Sequence, residues 1–308
     1  MFMNNQEFPL VSIITVNYNQ TEITCALLES LRKISYPNIE ILVVDNASFK
    51  DDPAPIKIRF PEVTLFLSNE NLGFAGGNNL AIRQSKGEYI LLINNDIEVD
   101  PGFLDPLVEK MIHNDIIGAV SPKVRYFYQP TIIQYAGFEP MSPITIRQHS
   151  NGFRQEDKGQ FDNDRLTDFG FGAALLVSRS VIEKVGLMAD IFFLYYEEMD
   201  WMTRMRRTGF EIWYVHNSLI YHKDSVTTGG MSSLKTYYVT RGRLLYMRRN
   251  THGFNHFLAI IYQGFIAIPK NTFTYLISGR LDLLKAFLNA VGWHLLHAFS
   301  KSVYENPE

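Results

Sequence analysis

One cysteine, Cys25, stands among the 308 residues. An intramolecular disulfide and a cysteine-based zinc cluster are both excluded, which fits a reducing compartment. A surplus of positive charge is missing too: 29 Lys and Arg face 32 Asp and Glu, leaving −3. A chain built to coat phosphate backbones is normally basic, so no nucleic-acid partner is expected. No run of 18 apolar residues occurs, so no spanning helix is expected. Residues 1–9 lack a basic segment followed by an apolar core, so no signal peptide is expected. These absences point to a cytoplasmic protein. Two nucleotide-binding signatures are also absent. The turn after the first apolar segment is Asn17-Tyr18-Asn19 rather than G-x-G-x-x-G, and no G-x-x-x-x-G-K-S/T run exists.

What is present is an ordinary core composition: 46% hydrophobic and 20% charged residues, with 22 Phe, 16 Tyr and 3 Trp. Disorder over most of the length is excluded. The length allows one large domain or two smaller ones. Residues 10–16, 39–44, 63–67 and 88–93 read as short buried strands, with helical segments at 21–33 and 76–85 between them. Asp100-Pro101 marks a helix start, running to about His113. Strand and helix alternate at βαβ spacing to about residue 120. This predicts an α/β fold, a mostly parallel sheet flanked by helices. The second half is less regular. Residues 125–165 read as loops and short strands, 172–177, 211–215 and 219–222 as strands, and 178–185, 199–208 and 236–249 as helices. Beyond about His252 the composition turns apolar and aromatic, with helices near 256–268 and 281–299.

Ligands in open parallel sheets bind beyond the carboxyl ends of the strands. Polar clusters follow four strands: Asn17-Tyr18-Asn19, Asp45-Asn46, Asn69 to Asn79, and Asn94-Asn95-Asp96. Each alone could be a capped turn; four on one rim point to a binding site. Asp96 ends a buried strand and is the best cation candidate, since Mg2+ and Mn2+ take oxygen ligands and leave positions for substrate phosphates. The bland alternative is a turn cap. Residues 192–201 run from aromatics into three carboxylates, Glu197, Glu198 and Asp200. A helix N-terminus favours such charges. A carboxylate beside aromatic walls also has the raised proton affinity of a general base. Because Glu197 and Glu198 are adjacent, only one of them is expected to meet an acceptor, the other capping the helix or pairing with an arginine. His222 follows a short strand and has two readings, a structural imidazole or one completing the same cation's coordination.

Taken in order, these motifs resemble family 2 glycosyltransferases of the GT-A fold, and within them a rhamnosyltransferase-like branch that builds bacterial surface polysaccharides. The resemblance rests on Asn17-Tyr18-Asn19, Asp45-Asn46-Ala47-Ser48, Asn71 to Asn79, Gly87 to Asp96, Gly172 to Val177, Tyr195 to Asp200, and Tyr221-His222-Lys223. It covers residues 10 to about 249. It implies a Rossmann-like GT-A domain over 1–249 and a C-terminal helical extension over 250–308. It implies inverting transfer from a nucleotide-diphosphate sugar, dTDP- or UDP-linked, to a saccharide or lipid-linked saccharide hydroxyl, with Mg2+ or Mn2+ as cofactor. By the resemblance, Asn17 and Asp45 lie near the base and ribose, and Asn71, Gly73, Phe74 and Asn78 lie along the nucleoside and diphosphate. Asn19 and Asn95 fall in the same motifs. Asp96 matches the last acid of a D-x-D metal motif, here reduced to Asn94-Asn95-Asp96, and His222 matches a metal- and diphosphate-binding histidine. Glu198 matches the base, usually Asp, with Glu197 as fallback. The rival readings are a nucleotidyltransferase and a non-catalytic binding protein on the same fold.

Arg241, Arg243, Arg248 and Arg249 precede the apolar segment 257–268. The tail either packs on the catalytic domain or forms a homodimer interface, or it lies on a membrane surface with these arginines on lipid phosphates.

Overall fold

The computed structural model describes residues 8–223 and 231–307. The lysine-free stretch 224–230 and both termini lie outside that description.

Three buried apolar segments make the centre of the sheet: β1 (Val11–Asn17), β2 (Ile39–Asp45) and β4 (Tyr89–Ile93). β1 lies parallel to both, with Val11 opposite Ile39 and Tyr89. β3 (Thr64–Leu67) adds in parallel on the outer side of β2. Crossovers α1 (Thr21–Leu31), α2 (Ala54–Arg59) and α3 (Gly73–Gln84) connect these strands.

Further along, the sheet becomes mixed. β5 (Ile97–Val99), β6 (Ile117–Tyr126), β7 (Gln129–Tyr135), β8 (Arg165–Thr167), β9 (Ala174–Ser178) and β10 (Glu211–His222) complete it. The main path runs β3-β2-β1-β4-β9-β6-β10-β5. β9 is antiparallel to β4 and β6, while β10 runs parallel to β6. One core lies between the sheet and α1, α2 and α4 (Leu104–Ile112). The other lies beneath α3, α5 (Arg179–Val185), α6 (Glu197–Arg207) and α7 (Ser233–Asn250). The strands between these cores are buried on both faces, which is why they read as continuous apolar runs.

Several boundaries differ from the sequence expectation. The strands expected at 211–215 and 219–222 are one strand, β10, with a register shift between Val215 and Leu219. Residues 125–165 are loops and short strands as expected, holding the end of β6, all of β7 and the first residue of β8. Asp100 does not cap α4 directly; its Oδ1 accepts from the Gly102 N–H in a preceding turn. α6 opens at Glu197, so the carboxylates sit in its first turn.

After α7 the chain forms α8 (Gly253–Tyr262), a π-helical turn (Gln263–Ala267), α9 (Ile268–Ile277) and α10 (Leu281–Leu296). The helix continues through Pro269, which lies in the first turn of α9 just after the wider turn. α10 packs along α7, burying Leu283, Ala286, Phe287 and Ala290. The four arginines of α7 face inward. Arg243 Nε donates to the Tyr196 hydroxyl at 3.0 Å, Arg248 to the His297 carbonyl at 3.0 Å, and Arg241 to the Ile191 carbonyl. Arg249 is ion-paired with Asp200 at 2.8 Å. The expectation that these arginines meet lipid phosphates is therefore corrected: they tie helices together.

Candidate active site

The carboxyl ends of β1, β2 and β4 open on one rim, and a buried polar lattice holds its turns. Asn17 Nδ2 donates to Asp45 Oδ1 at 2.8 Å, and Asn17 Oδ1 accepts from Thr24 Oγ1 at 2.8 Å. Asp45 also accepts from the Ser48 hydroxyl and N–H. Asn19 accepts from the N–H groups of Phe49 and Lys50. Asn78 Nδ2 donates to the Phe74 carbonyl at 2.8 Å. These four candidates stand behind the rim and shape its loops.

A cleft of about 560 Å³ lies in front of them. Its walls include Asn71, Gly73, Phe74, Asn95, Asp96, Glu197, Glu198 and His222, so eight of the residues singled out in the sequence share one cavity. Asn46, left out of the candidate set, belongs with them. Its Nδ2 donates to Asn71 Oδ1 and to the Gly73 carbonyl, and its Oδ1 accepts from the Leu72 N–H. Its place beside Asp45 was the available signal. Tyr18, Phe171, Phe193, Tyr195, Leu234 and Tyr238 supply the apolar walls.

Gly73 sits at the start of α3 with φ +70, and a Cβ there would lie 2.3 Å from the Phe193 carbonyl oxygen. That carbonyl accepts from the Phe74 N–H at 2.6 Å. The loop before α3 is thereby clamped to the segment leading into α6. In that segment Phe193, Tyr195 and Tyr196 have φ of 64, 66 and 76, left-handed values that bulky residues rarely adopt. Such strain concentrates at functional sites, where surrounding packing holds it.

Asp96 ends the rim after β4. Its Oδ1 is buried without a hydrogen-bond partner, 3.3 Å from His222 Nε2. His222 Nδ1 lies 2.7 Å from Gln134 Oε1. A carboxylate and an imidazole, the latter braced on its far nitrogen, suit a divalent cation. Among the described residues no third His, Cys, Asp or Glu joins them. The donor set therefore fits an ion that takes its remaining ligands from a diphosphate and water.

Glu197 and Glu198 line the same cleft, and Oε2 of each is buried without a partner. Burial, then the charge of Glu198, pushes the Glu197 carboxyl well above the usual glutamate range. Burial raises Glu198 as well. The arginine pairing expected for one of them is not formed among the described residues. The arginine partners go to Asp200 instead, held by Arg249 and Arg204 and accepting from Asn250 Nδ2. Asp200 anchors α6 from behind while its first turn meets the cavity.

The model of the family described as "Glycosyl transferase family 2" matches residues 12–186, more than half of the chain. The chain belongs to glycosyl transferase family 2. Among relatives of this family 2 chain is the low-salt glycan biosynthesis hexosyltransferase Agl10 of Haloferax volcanii, 28% identical over 209 residues. That match covers 66% of this chain and 63% of the relative, so the chain spans less than two thirds of that relative's length. The N-acetylglucosaminyl-diphospho-decaprenol L-rhamnosyltransferase of Mycobacterium tuberculosis is 24% identical over 241 residues, covering 71% of this chain and 78% of the relative. A solved mannosyltransferase from Pyrobaculum calidifontis, in complex with GDP-Man and Mn2+, has a TM-score of 0.55 at 18% identity. It covers 94% of this chain and 76% of the neighbour. GalNAc-T7 with UDP, GalNAc and Mn2+ has a TM-score of 0.65 at 13% identity, covering 96% of this chain and 59% of that one. The fold of the family 2 chain is GT-A, with C-terminal helices added.

Proposed function

We propose that this chain is an inverting glycosyltransferase that moves a sugar from a nucleotide-diphosphate donor to a saccharide or lipid-linked saccharide hydroxyl in cell-surface glycan assembly. One observation carries the reading. The unpartnered Asp96 oxygen with His222, and the unpartnered carboxylates of Glu197 and Glu198, line one cleft in a family 2 chain. Rhamnose as the sugar is supported by the mycobacterial relative, whose name specifies an L-rhamnosyltransferase.

Asp96 and His222 would hold Mg2+ or Mn2+. When bound, the ion supplies positive charge against the diphosphate leaving group. Asn71 and Gly73 shape the loop along which the donor lies, and Phe74 and Tyr18 offer flat apolar surface to it. Glu198 accepts the acceptor hydroxyl's proton as the oxygen attacks the anomeric carbon from the face opposite the diphosphate. Its raised proton affinity brings it closer to the operating pH, where a general base works best. Glu197 keeps a second carboxyl beside it and is the alternative base.

A thermal-shift screen of dTDP-, UDP- and GDP-linked sugars with Mn2+ tests donor binding, because a ligand of the native state stabilises it by mass action. Glu198→Gln should retain the donor's thermal shift and lose transfer by roughly 100-fold or more. Turnover near that of the unmodified chain would remove Glu198 from the base role, and no shift with any nucleotide sugar would overturn the whole reading.

A further inference from the structure

The C-terminal helices carry apolar side chains that no other described residue covers. In α8 and the following turn, Phe254, Phe257, Ile261 and Phe265 recur at three- and four-residue steps and all are exposed. α9 has no fully buried side chain, although it presents Phe273, Leu276 and Ile277. Along α10, Leu281, Leu288 and Leu295 recur every seven residues on the water side. Exposed apolar stripes of this kind mark an interaction surface.

Charge and position select the partner. In a chain of net charge −3, residues 251–308 hold four cations, Lys270, Arg280, Lys285 and Lys301, against three acids, Asp282, Glu305 and Glu308. Asp282 is paired with Arg280 at 2.9 Å, and the two glutamates lie at the very end of the tail. The three lysines are exposed. Among the described residues no helix is long and apolar enough to cross a membrane. Aromatic and aliphatic stripes with lysines beside them suit helices lying in the plane of an anionic bilayer surface. The face also reaches the cleft. Leu234 lines the cavity and is 55% exposed. Its neighbour Ser233 donates to Asp282 at 3.4 Å, and Arg280 donates to the Met231 carbonyl at 3.3 Å. The start of α10 thus stands at the mouth of the cleft.

We propose that α8, α9 and α10 seat the protein on an anionic lipid bilayer, with their phenylalanines and leucines among the upper acyl chains and Lys270, Lys285 and Lys301 on headgroup phosphates. The cleft then opens at the bilayer surface, toward an acceptor whose saccharide is carried on a lipid. That last clause rests on the glycosyl-transfer reading; the seating does not.

The test is co-sedimentation of the full chain with vesicles of phosphatidylcholine plus phosphatidylglycerol, and of phosphatidylcholine alone. The full chain should pellet with the anionic vesicles. Phe257→Ser, Phe265→Ser and Phe273→Ser combined should weaken this roughly tenfold or more. Lys270→Glu with Lys285→Glu should abolish the preference for anionic lipid. All five positions are exposed, so melting temperature and donor-induced thermal shift should not change. A full chain left in the supernatant with both vesicles overturns the proposal, as does a triple-serine variant that pellets like the unmodified chain. A dimer that the triple variant splits, without vesicle binding, overturns it in favour of a second copy on this face. Vesicle binding without any donor shift would support the seating and sink the transfer reading alone.

Discussion

His222 Nε2 stands 3.3 Å from Asp96 Oδ1, an oxygen with no hydrogen-bond donor. With the Gln134 carboxamide oxygen 2.7 Å from Nδ1, a single ring proton on that nitrogen would leave the Nε2 lone pair turned to the carboxylate. Two lone-pair groups this close repel unless a cation or a proton lies between them. Gln134→Leu removes the brace on the ring. Mn2+ affinity, measured calorimetrically with nucleoside diphosphate present, should fall about 10–100-fold. Gln134→Glu, which still accepts from Nδ1, should stay near the unmodified value. If the leucine variant binds as tightly as the glutamate one, His222 is not a metal ligand.

Glu197 links pH to stability. Burial and the Glu198 charge raise its proton affinity in the folded chain. Above the ordinary glutamate range the folded state therefore binds more protons than the unfolded one. The stabilisation this gives is complete below that range and is lost as pH rises through the folded-state value. Glu197→Gln removes the penalty of a buried charge and should melt higher than the unmodified chain at pH 7. The gain should be roughly 2–4 °C for each kcal/mol relieved, and it should vanish near about pH 4, where glutamate is mostly protonated in either state. A gain independent of pH would mean that Glu197 is not held with a raised affinity.

Much of this site could be read from the residues because its strands are buried on both faces. β1, β2 and β4 are plain apolar runs, and the polar residue that ends each run marks the rim. The missed elements bury little. α2 buries only Ile56, and β5 has three residues. Contacts made across long stretches of chain leave no local pattern. Leu234 and Tyr238 enter the cleft only because α7 docks over it, and Arg249 finds Asp200 49 positions away. The inward-facing arginines of α7 look like a charged surface in sequence for the same reason. The left-handed run at Phe193, Tyr195 and Tyr196 was also hidden, since aromatic residues there suggest strand.

Gly172 lies flush against the proposed base. A Cβ at that position would stand 3.1 Å from both Cγ and Oε1 of Glu198. That is tighter than ordinary contact, and the flexible glutamate must yield by a few tenths of an ångström. Small displacements of a catalytic group cost rate steeply, so Gly172→Ala should lower kcat about tenfold or more. Donor-induced thermal shift should be preserved, because the disturbance is on the acceptor side. An unchanged kcat would place the reacting proton away from Glu198.

Arg249 holds α6 from the side away from the cleft. Its Nε and Nη2 donate to the two oxygens of Asp200 at 2.8 and 3.2 Å, and its Nη1 donates to the carbonyls of Val303 and Glu305. Both side chains of the pair are nearly inaccessible, at 5% and 1% exposure. Removing one partner of a buried pair leaves an uncompensated charge and costs roughly 3–5 kcal/mol. Arg249→Met should lose about that much in urea unfolding. Arg204, 3.1 Å from the same carboxylate, retains part of the compensation, so the loss should lie toward the lower end. Combining Arg249→Met with Asp200→Asn should be less damaging than the two single losses added, by about 0.5–3 kcal/mol. Strict additivity would show that the C-terminal tail, and not the ion pair, is what Arg249 secures.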